Sequence, residues 1–402
     1  MTRNRIGAVF LGLSLAVASM GTAVASEKLK LGFITTLTGS GGIIGQHMQD
    51  AAELAMDHLD RKIGGLETEI IYGDDQQKPE IARQLASELI NRERVHFMAG
   101  IIWSNIMLAV QPMTERAKTF LISSNAGPSI LAGKRCSPYF FSASLANDQP
   151  PEALGKYLQD QKIENVFILV PNYAAGVDDV AGFKRYYKGR VAGEVYFPLG
   201  HQDFSGEITQ IRNAKPSAVF LFAPGGMGIQ FIKQFDQAGL KEKIPVYSVY
   251  SQDEVTLPAQ RDAAVGNFEG RNWVADLDNE ANKKFVSSFK AKYNYAPSWY
   301  AAQAYDTFML IDSAVRDVRG DVDNKSAVAA ALKKANFKSV RGPFRFNVNN
   351  FPIQNFYLAE IVKEGDQYVP RNRATIFHDH ADAYAGECKM QDIASSSSGK
   401  TE

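Results

Sequence analysis

The sequence predicts an α/β protein of two Rossmann-like lobes, each built on a parallel sheet and joined by a three-strand hinge. Three observations carry this. Short apolar stretches alternate with amphipathic helical stretches from residue 28 to residue 250, the order that puts helices on both faces of a parallel sheet. The alternation restarts after 140–145, so there are two runs of similar plan. The remainder, 268–362, holds too few strands for a third sheet.

The first run opens with 28–37 (KLKLGFITTL), alternating and then wholly apolar, as a buried strand does. A glycine-rich turn, TGSGGIIG, leads into a helix with Met48, Ala51, Ala52, Ala55, Met56 and Leu59 at helical spacing. Strands are expected at 69–72, 95–101 and 119–123. Between the first two lies a helix with an apolar stripe at Ile81, Ala82, Leu85, Ala86, Leu89 and Ile90, opened by Pro79 in its first turn. A helix over 106–117 precedes the third. In the second run, helices at 151–160, 177–188, 204–213 and 228–238 alternate with strands at 166–170 (VFILV), 191–197, 218–222 (AVFLF) and 245–250. A strand at 268–275 follows, then helices at 279–293, 298–318 and 325–335, and strand-like segments at 340–346 and 356–362. The three helices are expected to return to the first lobe and the last strands to the second. The chain then crosses between lobes near Ser144, Ala275 and Asn349. Lobe one is 26–145 plus 276–348, and lobe two is 146–275 plus 349–390. The tail, 391–402, ends IASSSSGKTE and is expected to be disordered.

Ahead of the lobes lies an address segment. Arg3 and Arg5, an apolar run over 6–20, and Ala23 and Ala25 at a small-x-small site read as a signal peptide over 1–25, with Ser26 as the mature start. The apolar run is shorter than the roughly 18–20 residues of a spanning helix. No cysteine stands at the cleavage point, so no lipid anchor is expected. Cleavage leaves 42 basic against 44 acidic residues, a net charge of −2, and no basic stripe for nucleic acid. No later segment is apolar enough to span a membrane. The expected location is the periplasm, which has no ATP supply and little nicotinamide cofactor. That compartment is oxidising and favours a Cys136–Cys388 disulfide. The alternative is two separate buried thiols, and spacing does not separate the two.

Chemical motifs are few. The run from Gly39 to Gly45 between a strand and a helix, with Asp74 and Asp75 ending the next strand, imitates a dinucleotide fingerprint, but Ile44 occupies the third glycine's place. The better reading is a helix N-terminus whose free N–H groups attract a carboxylate. Gly399-Lys400-Thr401 imitates the end of a P-loop by chance, since Ala394 stands where its first glycine belongs. His378 and His380 would share one face of a strand, too few ligands for a metal. Nothing sets a Ser or Cys nucleophile beside a base. No cofactor, metal or catalytic residue is expected. Polar and aromatic residues instead gather at the carboxyl ends of strands, where open α/β sheets bind ligands. Trp103, Ser104 and Asn105 follow one strand, and Ser124, Asn125, Ala126 and Gly127 the next. In the second run Tyr173, then Gly225 and Gly226, then Ser251, Gln252 and Asp253 do the same.

The leader, the turn Leu37-Thr38-Gly39, the run Gly73-Asp74-Asp75 and PSWYAAQAYDTFML at 297–310 together resemble the branched-chain amino-acid type of periplasmic solute-binding protein. These are type I binding proteins serving ABC importers, and the resemblance spans 28–362. It implies the two-lobe fold, a small carboxylate ligand, an inner-membrane ABC permease as partner, a monomer and no enzymatic activity. A periplasmic enzyme acting on a small acid is the alternative class. By resemblance, Ser104 and the run Asn125, Ala126 and Gly127 hold the ligand's carboxylate, and Ile44 packs on the ligand. Lobe two offers Tyr173, and Asp253 for a ligand ammonium. Trp103 stands where many relatives have a smaller residue, and Gly127 where amino-acid binders have Thr. Those departures favour a small aromatic acid, a benzoate or phenylpropanoid. Branched-chain or other hydrophobic amino acids are the alternative.

Overall fold

The computed structural model describes residues 1–2, 28–391 and 393. The leader read at 1–25 and the tail read at 391–402 lie, apart from residues 1, 2, 391 and 393, outside the described residues. The first unit runs β1 (Leu29–Thr35), α1 (Gly42–His58), β2 (Lys62–Ile63), β3 (Leu66–Asp74), α2 (Pro79–Asn91), β4 (Phe97–Gly100), α3 (Ser104–Arg116), β5 (Phe120–Ser123), the single turn α4 (Ser129–Ala132) and β6 (Phe140–Ser142). Its strands form one sheet in the order β2-β3-β1-β4-β5-β6. All neighbours are parallel except β2 with β3.

The second unit runs α5 (Gln149–Asp160), β7 (Asn165–Pro171), α6 (Ala174–Tyr186), β8 (Arg190–Phe197), α7 (Ser205–Ala214), β9 (Ala218–Phe222), α8 (Gly226–Gln237), β10 (Val246–Val249), α9 (Leu257–Gln260) and β11 (Phe268–Arg271). Then come α10 (Glu280–Tyr293), α11 (Trp299–Asp317) and α12 (Lys325–Lys334), followed by β12 (Arg345–Phe346), β13 (Pro352–Glu364) and β14 (Gln367–His380). The second sheet has the order β12-β13-β11-β10-β9-β7-β8, with β14 paired to β13. The apolar runs VFILV and AVFLF lie in its parallel centre, buried at every position, as strands covered on both faces must be. α11 packs against α1 and α12, so the late helices cover the first sheet while β13 and β14 extend the second. From residue 299 to residue 308 α11 is buried at every position, its polar residues Gln303, Asp306 and Thr307 finding partners in Asn272, Arg341 and Ser124.

The C-terminal elements depart from the sequence reading. The strand expected at 340–346 shrinks to β12, which pairs antiparallel with β13 of the second sheet. Of the long strand β14 only the stretch around His378 and His380 was expected. Its residues mix charge with apolar groups around Pro370, because it is an outer hairpin strand with one face toward solvent. His378 and His380 do not alternate regularly, since Asp379 between them takes a positive φ of 47°. His380 instead bonds Glu152.

Three crossing segments meet on one carbonyl. Ser144 O accepts from Arg341 Nη1 (2.8 Å), Gln354 Nε2 (2.7 Å) and Asn272 Nδ2 (3.3 Å). Arg341 is buried, and its Nε donates to Asp306 of α11 at 2.9 Å. The hinge is thus one hydrogen-bonded knot. Beyond β14 the chain returns toward the first unit, where Cys388 is disulfide-bonded to Cys136 in the loop between α4 and β6.

Candidate functional site

Each sheet has a point where neighbouring strands lead off in opposite directions, between β1 and β4 in the first and between β7 and β9 in the second. Crevices at the carboxyl ends of such strands are where open α/β sheets take ligands. A small cavity lies there, lined by Ile102, Trp103, Ser104, Asn125 and Asn147 on one side. Tyr173, Ala175, Asp179, Phe222, Pro224 and Tyr250 line it from the second unit, and Tyr300 from the start of α11. Four residues singled out from sequence, Trp103, Ser104, Asn125 and Tyr173, therefore meet across the gap. The rings of Trp103 and Tyr173 face each other edge-on, with centroids 6.3 Å apart.

The walls are held in place by the motifs that carried the resemblance. Trp103 donates its indole N–H to Thr36 Oγ1 at 2.8 Å, and Thr36 in turn donates to Asp75. Asp74 accepts from the Leu37 amide (2.9 Å) and the Thr38 hydroxyl (2.7 Å). The two acids at the end of β3 thus brace the turn after β1, and through it the indole. Tyr173 stacks on Phe222, and Phe222 meets Tyr250 edge-on.

Two helix N-termini end at the cavity. Trp103 precedes α3 and Tyr173 precedes α6, and neither helix has a side-chain cap. Their first amides have no partner within the helix, which suits a carboxylate. No Lys or Arg lines the cavity. Ser104 Oγ accepts from Asn147 Nδ2 at 3.0 Å, so its own proton remains for a ligand. Asn147 also donates to Asp178 Oδ2 (2.9 Å), and the Ser129 amide donates to the same oxygen (3.0 Å). Asp178 lies on α6 and Ser129 opens α4, so these bonds close the gap between the two units.

Several expected positions are placed elsewhere. Asp253 does not line the cavity. Its Oδ1 accepts from the amides of Val255 (3.0 Å) and Thr256 (3.2 Å), and its Oδ2 from the Trp299 indole (3.3 Å). Burial and the neighbouring Glu254 push its pKa up to about 6. Ala126 and Gly127 are also off the cavity wall, and their amides are already engaged by Ile101 O and Asn147 Oδ1. A side chain at Gly127 would put its Cβ 1.9 Å from Leu145 O, so backbone packing demands glycine there. Ile44 and Gly225 meet each other outside the cavity. Gly225 has φ +62°, and a Cβ on it would lie 3.1 Å from Ser40 O and 3.5 Å from Ile44 Cδ1.

The acid that does face the cavity is Asp179, which the sequence reading missed. It is 1% exposed, and neither oxygen has a hydrogen-bonding partner among the described residues. Burial, and then the nearby Asp178 and Asp148, lift its carboxyl well above the usual range. The Tyr300 hydroxyl and Asn125 Oδ1 are likewise buried without partners among the described residues. Tyr250 and Tyr300 were legible only as aromatic residues in VYSVY and PSWYAAQAYDTFML. Among the described residues no group of three His, Cys, Asp or Glu is placed to hold a metal ion.

Comparison with known proteins places this geometry. The sequence matches the family described as periplasmic binding protein over residues 28–366. Leu/Ile/Val-binding protein homolog 6 of Brucella melitensis is 29% identical over 364 residues, covering 88% of this chain and 93% of that one. A solute-binding protein of an ABC transporter from R. palustris, solved in complex with benzoate, is 31% identical with a TM-score of 0.86, covering 90% of this chain and 99% of that one. Another, from Rhodopseudomonas palustris BisB5 in complex with 3,4-dihydroxy benzoic acid, is 29% identical with a TM-score of 0.82, covering 89% and 99%.

Proposed function

The chain belongs to the periplasmic binding protein family, and from that premise we propose that this ABC-transporter solute-binding protein captures a small aromatic carboxylate. The observation that carries the reading is the wall of the cavity. Trp103, Tyr173, Phe222, Tyr250 and Tyr300 offer flat apolar faces, and α3 and α6 bring their N-termini to the same space. Aromatic pairs contribute roughly 0.5–1.5 kcal/mol each beyond the area they bury. The related R. palustris proteins solved with benzoate and with dihydroxybenzoic acid support the choice.

Capture and closure are one event in this reading. A ligand touching both units stabilises the shut form by its differential affinity, and by no more than that. The knot at Ser144, Asn272 and Gln354 is the pivot, and Asp178 closes the gap from the far side. The shut form is what an inner-membrane permease would take up. Export by the leader would place the chain in the periplasm, where the Cys136–Cys388 bond is kept oxidised.

A second reading is binding of a branched-chain or other hydrophobic amino acid. Its support is the name of the Brucella relative and an acid, Asp179, that can take an ammonium group. Titration calorimetry of the leaderless chain with benzoate, 4-hydroxybenzoate, leucine and isoleucine separates the two. The expected result is binding of the aromatic acids with no turnover. Saturable binding of leucine alone would overturn the aromatic reading, and consumption of the ligand would overturn the transport reading.

A further inference from the structure

We propose that Asp179 and Tyr300 form a second polar pole of the cavity that takes a hydroxyl on the ligand's ring, so that the chain selects hydroxylated aromatic acids over unsubstituted ones. This rests on the aromatic-acid reading and narrows it. Asp179 and Tyr300 both line the cavity, both are 1% exposed, and neither the carboxylate nor the phenol has a hydrogen-bonding partner among the described residues. A buried polar group left unmade is destabilising and persists where something else completes it. No basic side chain lines the cavity to do so; a hydroxyl carried by the ligand would complete both groups.

The orientation follows from charge. Asp179 sits on α6, with Asp178 and Asp148 near enough to raise its proton affinity further. A carboxylate at that end would meet like charge. The ligand's carboxylate therefore turns to Ser104 and the α3 N-terminus in the first unit, and its far edge turns to Asp179 in the second. A protonated Asp179 can donate to a hydroxyl and accept from it with no buried charge on either partner. A ligand ammonium would instead require Asp179 ionised in the same acidic surroundings.

The test is calorimetric titration of the leaderless chain with benzoate, 4-hydroxybenzoate, 3,4-dihydroxybenzoate and phenylalanine. Wild type is expected to bind 4-hydroxybenzoate about tenfold or more tightly than benzoate, as sites built to hydrogen-bond a hydroxyl do. In Asp179→Leu that ratio collapses toward one, while Asp179→Asn, which keeps an acceptor, retains part of it. If Asp179→Leu shows no cooperative melt, the ratio is read in Asp179→Asn and Tyr300→Phe, where it must also fall. Equal binding of benzoate and 4-hydroxybenzoate by wild type, or a ratio untouched by these substitutions, overturns the proposal and leaves the aromatic-acid reading standing. Binding of phenylalanine with neither benzoate bound overturns both.

Discussion

Two carboxylates, each buried deep between the units, sit in opposite circumstances. Asp306, at the hinge, accepts from Ser339 Oγ (2.6 Å), the Val340 amide (3.0 Å) and Arg341 Nε (2.9 Å). Three further donors of Arg341 go to Ser144 O, Gln354 Oε1 and Ala143 O. Asp179, in the cavity, has no partner among the described residues. The contrast separates two uses of buried polarity. A saturated knot holds the pivot in one geometry, because breaking any bond strands the rest. An unsaturated pole would leave binding capacity for a solute, at a cost in stability while it stands empty.

The largest test of that contrast is at the hinge. Arg341→Ala strands the Asp306 charge and the Ser144 carbonyl, and a loss of about 3–5 kcal/mol is expected for a broken buried pair. Urea unfolding measures it, and a loss below 1 kcal/mol would mean the knot is dispensable.

The same assay on Asp179→Leu should move the other way, with a gain of about 1–3 kcal/mol near neutral pH from removing an unsatisfied buried group. The gain should depend on pH. A carboxyl whose folded pKa is raised stabilises the fold most below its ordinary value of 3.8, and that contribution is lost as pH rises through the folded value. The variant's advantage should therefore be smallest near pH 4 and grow toward neutrality. An advantage that is flat across that range would show that Asp179 does not titrate as its burial requires.

Between pivot and pole lies the closing contact at Asp178. Asp178→Ala removes an acceptor shared by the Ser129 amide and Asn147, a bridge across the gap that the closing mechanism would lose. Ligand affinity should weaken by about 1.5 kcal/mol, roughly tenfold, with small-angle scattering showing a more open unliganded chain. Unchanged affinity would remove Asp178 from the closing mechanism. The smallest effect belongs to ring shape. Tyr173→Leu keeps an apolar wall but loses the flat face, and affinity for an aromatic acid should fall by about 1 kcal/mol. Calorimetry reads it, and tighter aromatic binding would argue against stacking.

Much of the molecule is legible in the chain. The buried strands VFILV and AVFLF and the stripe from Ile81 to Ile90 announce their elements, because burial on one face or two leaves a periodic mark. Trp103, Ser104, Asn125 and Tyr173 could be singled out because strand carboxyl ends have a fixed place in this architecture. The acids were harder. Asp253 and Asp179 are both carboxylates, and family pattern alone favoured Asp253. A local signal pointed the other way, since Thr256 stands three residues after Asp253 and lets the acid cap its own turn. Gly127 shows a similar error, where a missing hydroxyl was read as a change in ligand preference and is a requirement of Leu145's backbone.

What the residues alone determined is local and periodic: the strands, the helices, their alternation and the likeness to a family. Tertiary structure alone decided which polar groups are satisfied, because a hydrogen bond depends on distance and direction between groups far apart in sequence. Asp306 meets Arg341 across 35 positions, and Ser104 meets Asn147 across 43. Asp179 meets no partner among the described residues. Only folding sorts such carboxylates into one paired at the hinge and one left unpaired in the cavity.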